Sequence, residues 1–296
     1  MKKILAFMLA ALMIVATFSA CSDGQNDEID DADKYLDNTV VKTYETIGDD
    51  TFHFETIDSE TVTITDFSSA NDAPHAVTIP AYVDITTDEN GEISAKRVVA
   101  ISTEAFCYKS NINRVIFPSE ADYKEYDADF DIDTFEFSVG NYAFRDCVVL
   151  TAITLPAYIT ELGTGAFYGC TGLEVVAFEE GSRLEEVKAY TFMECTSLKA
   201  IKIPGSAVII GQAACYGCTA LQSVILEEGV SLVIAQAFQD CDALASISLP
   251  SSLDSIGTYA FHGSDALYAE GLTYEGDSEE ILAYIASLRL ESANAN

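Results

Sequence analysis

The chain has 296 residues, 49% of them hydrophobic and 21% charged, which is enough apolar material for a core and too much for a disordered chain. Asp and Glu number 48 against 15 Lys and Arg, a formal charge of −33, which argues against nucleic acid and other polyanions as partners because those need clustered cations. With three His and no Trp, a multi-His metal or catalytic centre lacks its residues.

The chain opens with Lys2 and Lys3, followed by an almost unbroken apolar run from Ile4 to Thr17. That run is short of the ~20 residues a membrane span needs, so residues 1–20 are expected to be a signal peptide. Phe18 is too large for an ordinary cleavage site, which wants small residues three and one before the cut. Phe18-Ser19-Ala20-Cys21 instead resembles the bacterial lipobox, which implies lipid attachment at Cys21 and anchorage to a membrane. Acyl chains contribute about 0.8 kcal/mol per buried CH₂, and stable anchoring takes more than one chain or signal. Without Lys2 and Lys3 the exported chain has 13 basic and 48 acidic residues, or −35. Residues 21–50 are expected to be an acidic flexible tether, since ten of the 29 residues from 22 to 50 are acidic and two are basic.

The body is repetitive. AFRDCVVLTAITLP from Ala143 returns as AFYGCTGLEVVAFE from Ala166, TFMECTSLKAIKIP from Thr191, ACYGCTALQSVILE from Ala214 and AFQDCDALASISLP from Ala237. A degenerate copy starts at Ala105 and a last one at Ala260. The Phe position falls at 106, 144, 167, 192, 215, 238 and 261, in steps of 38, 23, 25, 23, 23 and 23. The long step is one unit plus a 15-residue insertion between Pro118 and Phe144. In each unit Leu150, Ile153 and Leu155, or their equivalents, form a buried set. Alternation of Ile153 and Leu155 predicts a strand that Pro156 ends. A second apolar pair follows, such as Ile159/Leu162 or Leu184/Val187. One unit cannot bury these faces alone, whereas stacked units share a continuous core.

The pattern A-F-x-x-C-x-x-L-x-x-I-x-L-P, preceded by I-x-x-x-A-F, resembles the BspA-type leucine-rich repeat of bacterial cell-surface lipoproteins. The resemblance covers about residues 50–276. It implies a leucine-rich repeat solenoid, mostly β, with a parallel sheet on one face and short or helical turns between strands. It also implies protein or glycan binding, since several members are described as adhesins. Cys215 departs from the pattern in place of Phe, Thr191 in place of Ala, and Lys109 where the first unit lacks its Cys.

The terminal units need caps. At the front, Phe52, Phe54 and Ile57, then Val62 and Ile64, predict a hairpin around Asp58-Ser59-Glu60. Residues 77–80 and 98–101 read as an incomplete first rung, split by a loop at Asp88-Glu89-Asn90-Gly91. At the back, Asp277 with Glu280 has capping-box spacing, and Ile281, Ile285 and Leu288 predict a capping helix over 278–290 within the terminal segment 277–296.

Candidate chemistry is sparse. Five of the seven remaining cysteines, 147, 170, 195, 218 and 241, share one repeat position. Stacked rungs lie ~4.8 Å apart, whereas a disulfide prefers Cβ atoms ~3.8 Å apart. Buried thiols acting as small apolar groups are therefore expected. Cys215-Tyr216-Gly217-Cys218 is formally C-x-x-C but lacks a redox or zinc setting. In the insertion, residues 119–137, Asp127, Asp129, Asp131 and Asp133 alternate as at the start of a calcium loop. Ile132 stands where the turn glycine belongs and Ser138 where the bidentate Glu belongs. An amphipathic strand or hairpin flap with Ala128, Phe130 and Ile132 on its inner face fits better. Weak calcium binding in an extracellular module, at about 10⁻⁴ to 10⁻³ M, is the alternative. His53, His75 and His262 fall near no nucleophile with motif spacing, so no catalytic set, no cofactor and no enzyme activity are expected.

What remains is surface. The outward strand positions align in two columns, Arg114, Ala152, Val175, Ala200, Ser223, Ser246 and Ile116, Thr154, Ala177, Lys202, Ile225, Ser248. They are mostly small and uncharged. The candidate ligand-binding residues are Arg114, Thr154, Lys202, Ser223, Ile225, Ser246 and Ser248. The sequence is thus read as a monomeric, outward-facing, lipid-anchored protein that binds an extracellular protein or glycan. The alternatives are a calcium-dependent or small-ligand capture protein using the insertion, and a structural envelope protein.

Overall fold

The computed structural model describes residues 40–41, 44–87, 93–264, 267, 272–274 and 276–295. Cys21, the signal segment, residues 22–39 and the Asp88–Gly91 loop lie outside the described residues.

One repeat makes one rung. Ala152–Leu155 is a strand, with Ile153 and Leu155 each 1% exposed and Ala152 and Thr154 facing outward. Pro156 ends it, and the chain returns through a second strand, Ile159–Leu162. A turn from Gly163 to Cys170 then leads to the next outer strand, Val175–Phe178. Register follows the repeat: Ala152 faces Val175, and Ile153 faces Val176. The outer strands form an eight-stranded parallel sheet running from His75–Thr78 to Leu272–Tyr274. This is the parallel sheet expected on one face. The second apolar pair of each repeat adds another sheet, in which Ile159–Leu162, Glu186–Val187, Ile209–Ile210, Leu232–Val233 and Ser255–Ile256 pair in parallel. That sheet has twelve strands including the front cap.

The third side of each rung is a turn with an unusual backbone. The residues two before and two after the Phe position are left-handed in every rung, as at Tyr142 (φ 54°) and Asp146 (φ 55°). Among the described residues ten non-glycine residues have positive φ, and all ten occupy these places. Such a conformation costs a non-glycine residue about 1–2 kcal/mol. It directs three N–H groups at the next rung. Tyr142, Phe144 and Asp146 donate to the carbonyls of Thr164, Ala166 and Tyr168 at 2.8–2.9 Å, and Gly165, Phe167 and Gly169 repeat the set at 2.9 Å. The rungs consequently approach closely. A Cβ on Gly163 would lie 2.3 Å from the Gly140 carbonyl carbon, so the backbones meet where no side chain fits.

Inside, the repeat phenylalanines stack. Ring centroids lie 5.0 Å apart for Phe106–Phe144, 5.3 Å for Phe144–Phe167 and 5.6 Å for Phe167–Phe192. Cys215 interrupts the column, which resumes at Phe238–Phe261, 5.7 Å apart. The Ala105 copy, least like the others in sequence, is a full member, since Glu104, Phe106 and Tyr108 donate to Asn141, Ala143 and Arg145 at 2.8–3.0 Å.

The caps extend the column. The expected hairpin is present as Asp50–Thr56 paired antiparallel with Thr61–Ser69, and its Phe67 stacks on Phe106 at 4.9 Å. Ile57, expected in its apolar set, is 56% exposed in the turn, where Asp58 Oδ1 accepts the Glu60 and Thr61 N–H groups. The tether does not extend to residue 50. Tyr44–Ile47 is an edge strand on the hairpin, and Val40–Val41 pairs with Tyr82–Thr87. At the back, the helix Glu279–Ala295 buries Ile281 and Ile285, and Tyr284 tilts against Phe261 at 6.2 Å. Its cap is Ser278 instead of Asp277: the Ser278 carbonyl accepts the Leu282 N–H and its Oγ the Ile281 N–H. The Leu288 side chain lies outside the described residues.

His75 ties the front cap together. Its Nδ1 meets the Ala73 carbonyl at 3.0 Å and its Nε2 meets Asp50 Oδ1 at 2.8 Å. Two acceptors suit the doubly protonated ring, and the Ala73 carbonyl, then Asp50, raise the His75 pKa against the opposing effect of burial. A raised histidine pKa stabilises fully below the unfolded value near 6.5 and ceases to do so above the folded value. The stability difference between wild type and His75→Gln should therefore be largest at acid pH and shrink as pH rises through the folded pKa, as measured by urea titrations across pH. Phe167→Ala should cost about 3–5 kcal/mol in the same assay, and the exposed Val175→Ala less than about 0.5 kcal/mol.

Candidate functional site

All seven sequence-predicted binding residues sit on the outer face of the eight-stranded sheet. Arg114, Thr154, Lys202, Ile225 and Ser246 are exposed, and Ser223 and Ser248 are half-buried. Ladder register aligns Ala200, Ser223 and Ser246 in one column and Lys202, Ile225 and Ser248 in the other. Ile116, Val175 and Ile225 are 43–53% exposed there. Charge on the face is largely neutralised by pairing between rungs, with Lys199 on Glu174 and Lys202 on Glu227, each at 2.5 Å. The Lys202 ammonium holds the Glu227 carboxyl below the usual range. Glu227 also accepts the Gly205 N–H. These groups wall a cleft of about 470 Å³ at the sheet edge, together with Phe178, Glu179 and Pro204. Phe178, expected in the buried set, is half-exposed because it forms this wall.

The insertion is neither a strand nor a flap. Glu120–Lys124 is a short helix that buries Tyr123, on which Phe130 and Phe135 pack at 4.5 and 4.7 Å. Asp127 and Asp131 close Asx turns, accepting the N–H groups of Asp129 and Asp133 at 3.2 and 3.1 Å. Ala128, expected inside, is exposed. Two distant arginines hold the segment down. Arg97 reaches Asp127 Oδ2 at 2.8 Å and lies 5.0 Å over the Phe130 ring. Arg183 donates to the carbonyls of Asp133 at 2.7 Å, Ile132 at 3.2 Å, and Phe135. Among the described residues no three His, Cys, Asp or Glu groups converge as a metal requires. Of the four aspartates weighed as a calcium loop, Asp127, Asp129, Asp131 and Asp133, Asp127 pairs with Arg97 and Asp131 accepts within its own turn.

The cysteine ladder forms, and its thiols do more than fill space. Cys147, Cys170, Cys195, Cys218 and Cys241 donate to the carbonyls of Phe106, Phe144, Phe167, Phe192 and Cys215 at 3.0–3.2 Å. Ser264 takes the same place in the last rung, bonding the Phe238 carbonyl at 3.3 Å. All seven described cysteines are buried and in no disulfide. Burial pushes the Cys147 thiol up to about 12 and the Cys170 and Cys195 thiols well above the ordinary value. Cys215 and Cys218 are also raised, which is the opposite of a redox-active C-x-x-C pair. His53 packs on Tyr44, and His262 on Tyr259.

The sequence reading missed a surface on the turn side. Tyr142, Tyr190 and Tyr259 stand two residues before the Phe position, and Tyr168 and Tyr216 one after it. The Arg145 guanidinium lies among two of these tyrosines and Tyr108, which stands two after its Phe: 5.4 Å from the Tyr108 ring, 5.8 Å from Tyr142 and 5.3 Å from Tyr168. Its Nε meets Asp146 Oδ2 at 3.1 Å. The recurrence of tyrosine at fixed offsets was the available signal.

Residues 137–268 match the BspA type leucine rich repeat region, in six copies. These residues are BspA-type leucine-rich repeats. The match begins one rung later than the ladder in the structure, which also includes the Phe106 rung. A leucine rich cell surface protein from Faecalibacterium prausnitzii shares the fold at a TM-score of 0.58 and 25% identity, over 80% of this chain and 56% of that one. This chain thus spans just over half of that protein. A leucine rich repeat protein of T. pallidum aligns at 25% identity and a TM-score of 0.48, over 77% and 79% of the two chains. No curated protein matches the sequence. Among the described residues no helix is long and apolar enough to cross a membrane.

Arg183→Ala removes three bonds to the insertion. Amides of residues 131–136 should then exchange at least tenfold faster by hydrogen–deuterium exchange. The loss should be about 1–3 kcal/mol and largely local.

Proposed function

We propose that this protein is a cell-surface, lipid-anchored interaction module that binds an extracellular protein or glycan without catalysis. The observation that carries the reading is the eight-stranded outer face. Six aligned rungs present mostly small or neutral side chains, three exposed aliphatic residues and few charges, on a chain that is otherwise strongly acidic. An extended repeat surface of this kind suits a macromolecule better than a small ligand. The adjoining cleft at Lys202 and Glu227 offers polar groups at the rim of that face, where specificity is set. The cell-surface description of the Faecalibacterium relative supports outward display. Lipid attachment at Cys21 rests on the lipobox resemblance, and the acidic segment behind it would be repelled by anionic lipid and extend from the membrane.

The protein immobilised through its N-terminal end should capture a saturable partner from a panel of extracellular matrix proteins, mucins and cell-wall glycans. Lys202→Glu with Ile225→Glu should weaken that capture at least tenfold while leaving the melting temperature within a few degrees. Capture indifferent to both substitutions would remove the sheet face from the binding site.

A further inference from the structure

The turn side carries a second constellation that repeats most of the first. Around Arg145 the parts are Tyr142, Asp146, Tyr168 from the next rung and Tyr108 from the rung before. Two rungs further on, Tyr190, Glu194 and Tyr216 occupy the places of Tyr142, Asp146 and Tyr168, Met193 stands where Arg145 stood, and Gly169 stands where Tyr108 stood. The backbone there is the same, with Tyr190 and Glu194 left-handed at φ 62° and 59°. The rung-to-rung bonds are the same too, Tyr190 to Gln212, Phe192 to Ala214 and Glu194 to Tyr216 at 2.7–3.0 Å. Glu194 is exposed, and Tyr190, Met193 and Tyr216 are half-buried. The chain therefore shows, in its own first copy, what tyrosine faces and a carboxylate on this backbone accept: a guanidinium. The second copy keeps two of the three faces and the carboxylate, and among the described residues no Lys or Arg pairs with Glu194 or lies over the Tyr190 or Tyr216 ring.

We propose that Tyr190, Met193, Glu194 and Tyr216 form a binding site for an arginine side chain of a cationic polypeptide. This rests on the reading of the protein as a macromolecule-binding module and adds a second surface and a partner chemistry to it. Three observations favour a cation over a neutral sugar. The chain has a formal charge of −33. Ring faces and a carboxylate together attract a guanidinium through the ring quadrupole and through charge. The carboxylates also continue along the same column. Asp146, Glu194 and Asp240 alternate there with Gly169, Gly217 and Gly263, and the carboxylates lean over the glycines: a Cβ on Gly169 would lie 2.1 Å from Asp146 Oδ1. Rungs ~4.8 Å apart put these acids ~9.6 Å apart, close to the ~9.3 Å of one polyproline II turn. A polypeptide with arginine at every third residue would meet Glu194 and Asp240 in register.

The test is calorimetric titration of the full chain with the peptide (Arg-Pro-Pro)₄, at low and at physiological salt. Saturable binding is expected, weakened at least tenfold by salt. Met193→Arg should fill the second site in the manner of Arg145 and weaken the peptide at least tenfold with an unchanged melting temperature. Glu194→Gln should weaken it severalfold. A peptide with arginine at every second residue should bind less tightly. No saturable binding, or binding that Met193→Arg leaves unchanged, would overturn the site. If Lys202→Glu with Ile225→Glu abolishes peptide binding while Met193→Arg does not, the partner lies on the sheet face, so the turn-side site fails and the interaction reading stands. Binding of neutral glycans at Tyr190 and Tyr216, indifferent to salt, would equally replace the cationic partner.

Discussion

Everything in this protein is subordinate to the three backbone hydrogen bonds that each turn sends to the next rung. A turn that aims alternate N–H groups at its neighbour must place two residues in the left-handed region, and here it does so whether those residues are glycine or not. Each left-handed residue costs about as much as one such bond returns, so the turn is near balance in isolation. The core tips it. With rungs held at backbone contact, the Phe of one turn stacks on the next except where Cys215 replaces it, and the residue before it, Ala or Thr191, is buried. The same constraint governs the outside, because it sets the residues two before, one after and two after the Phe position in columns from rung to rung. The tyrosines, carboxylates and Arg145 owe their alignment to it.

Repeat architecture makes each rung answerable mainly to its neighbours. The ends are then special. The front cap meets the need with an antiparallel hairpin whose Phe67 continues the ring column, and the back cap with a helix that offers Tyr284. Two different elements solve one problem, which is to give a terminal phenylalanine a partner.

Much of this was legible in the sequence, for a definite reason. The 23-residue spacing and the alternation of Ile153 and Leu155 are consequences of stacking, so they reveal strands, register and the outward columns directly. The second sheet was less visible, because its strands are two to four residues long and show only as an apolar pair. The left-handed turns were hidden, since Glu104, Tyr190 and Gln236 adopt that conformation only under constraint from the adjoining rungs. The insertion was misread because the alternation of aspartates with Ala128, Phe130 and Ile132 is also what consecutive Asx turns produce. The deciding contacts come from Arg97 and Arg183, remote in sequence and without any local signature. Of the candidate surfaces, the sheet face needed only the strand pattern. The cage around Arg145 needed the offset between rungs, which no single repeat displays.

The thiol ladder has a bearing on how the molecule would be seen to come apart. Among the described residues seven cysteines lie buried, unbridged and spread along the stack, and five of them donate a hydrogen bond across a rung junction. A junction that opens releases its own sulfur to solvent and leaves the others covered. Each sulfur therefore serves as a position marker, and the order in which alkylating reagent reaches Cys147, Cys170, Cys195, Cys218 and Cys241 would chart whether the stack frays from one end, from both, or parts in the middle at the gap that Cys215 leaves in the aromatic column.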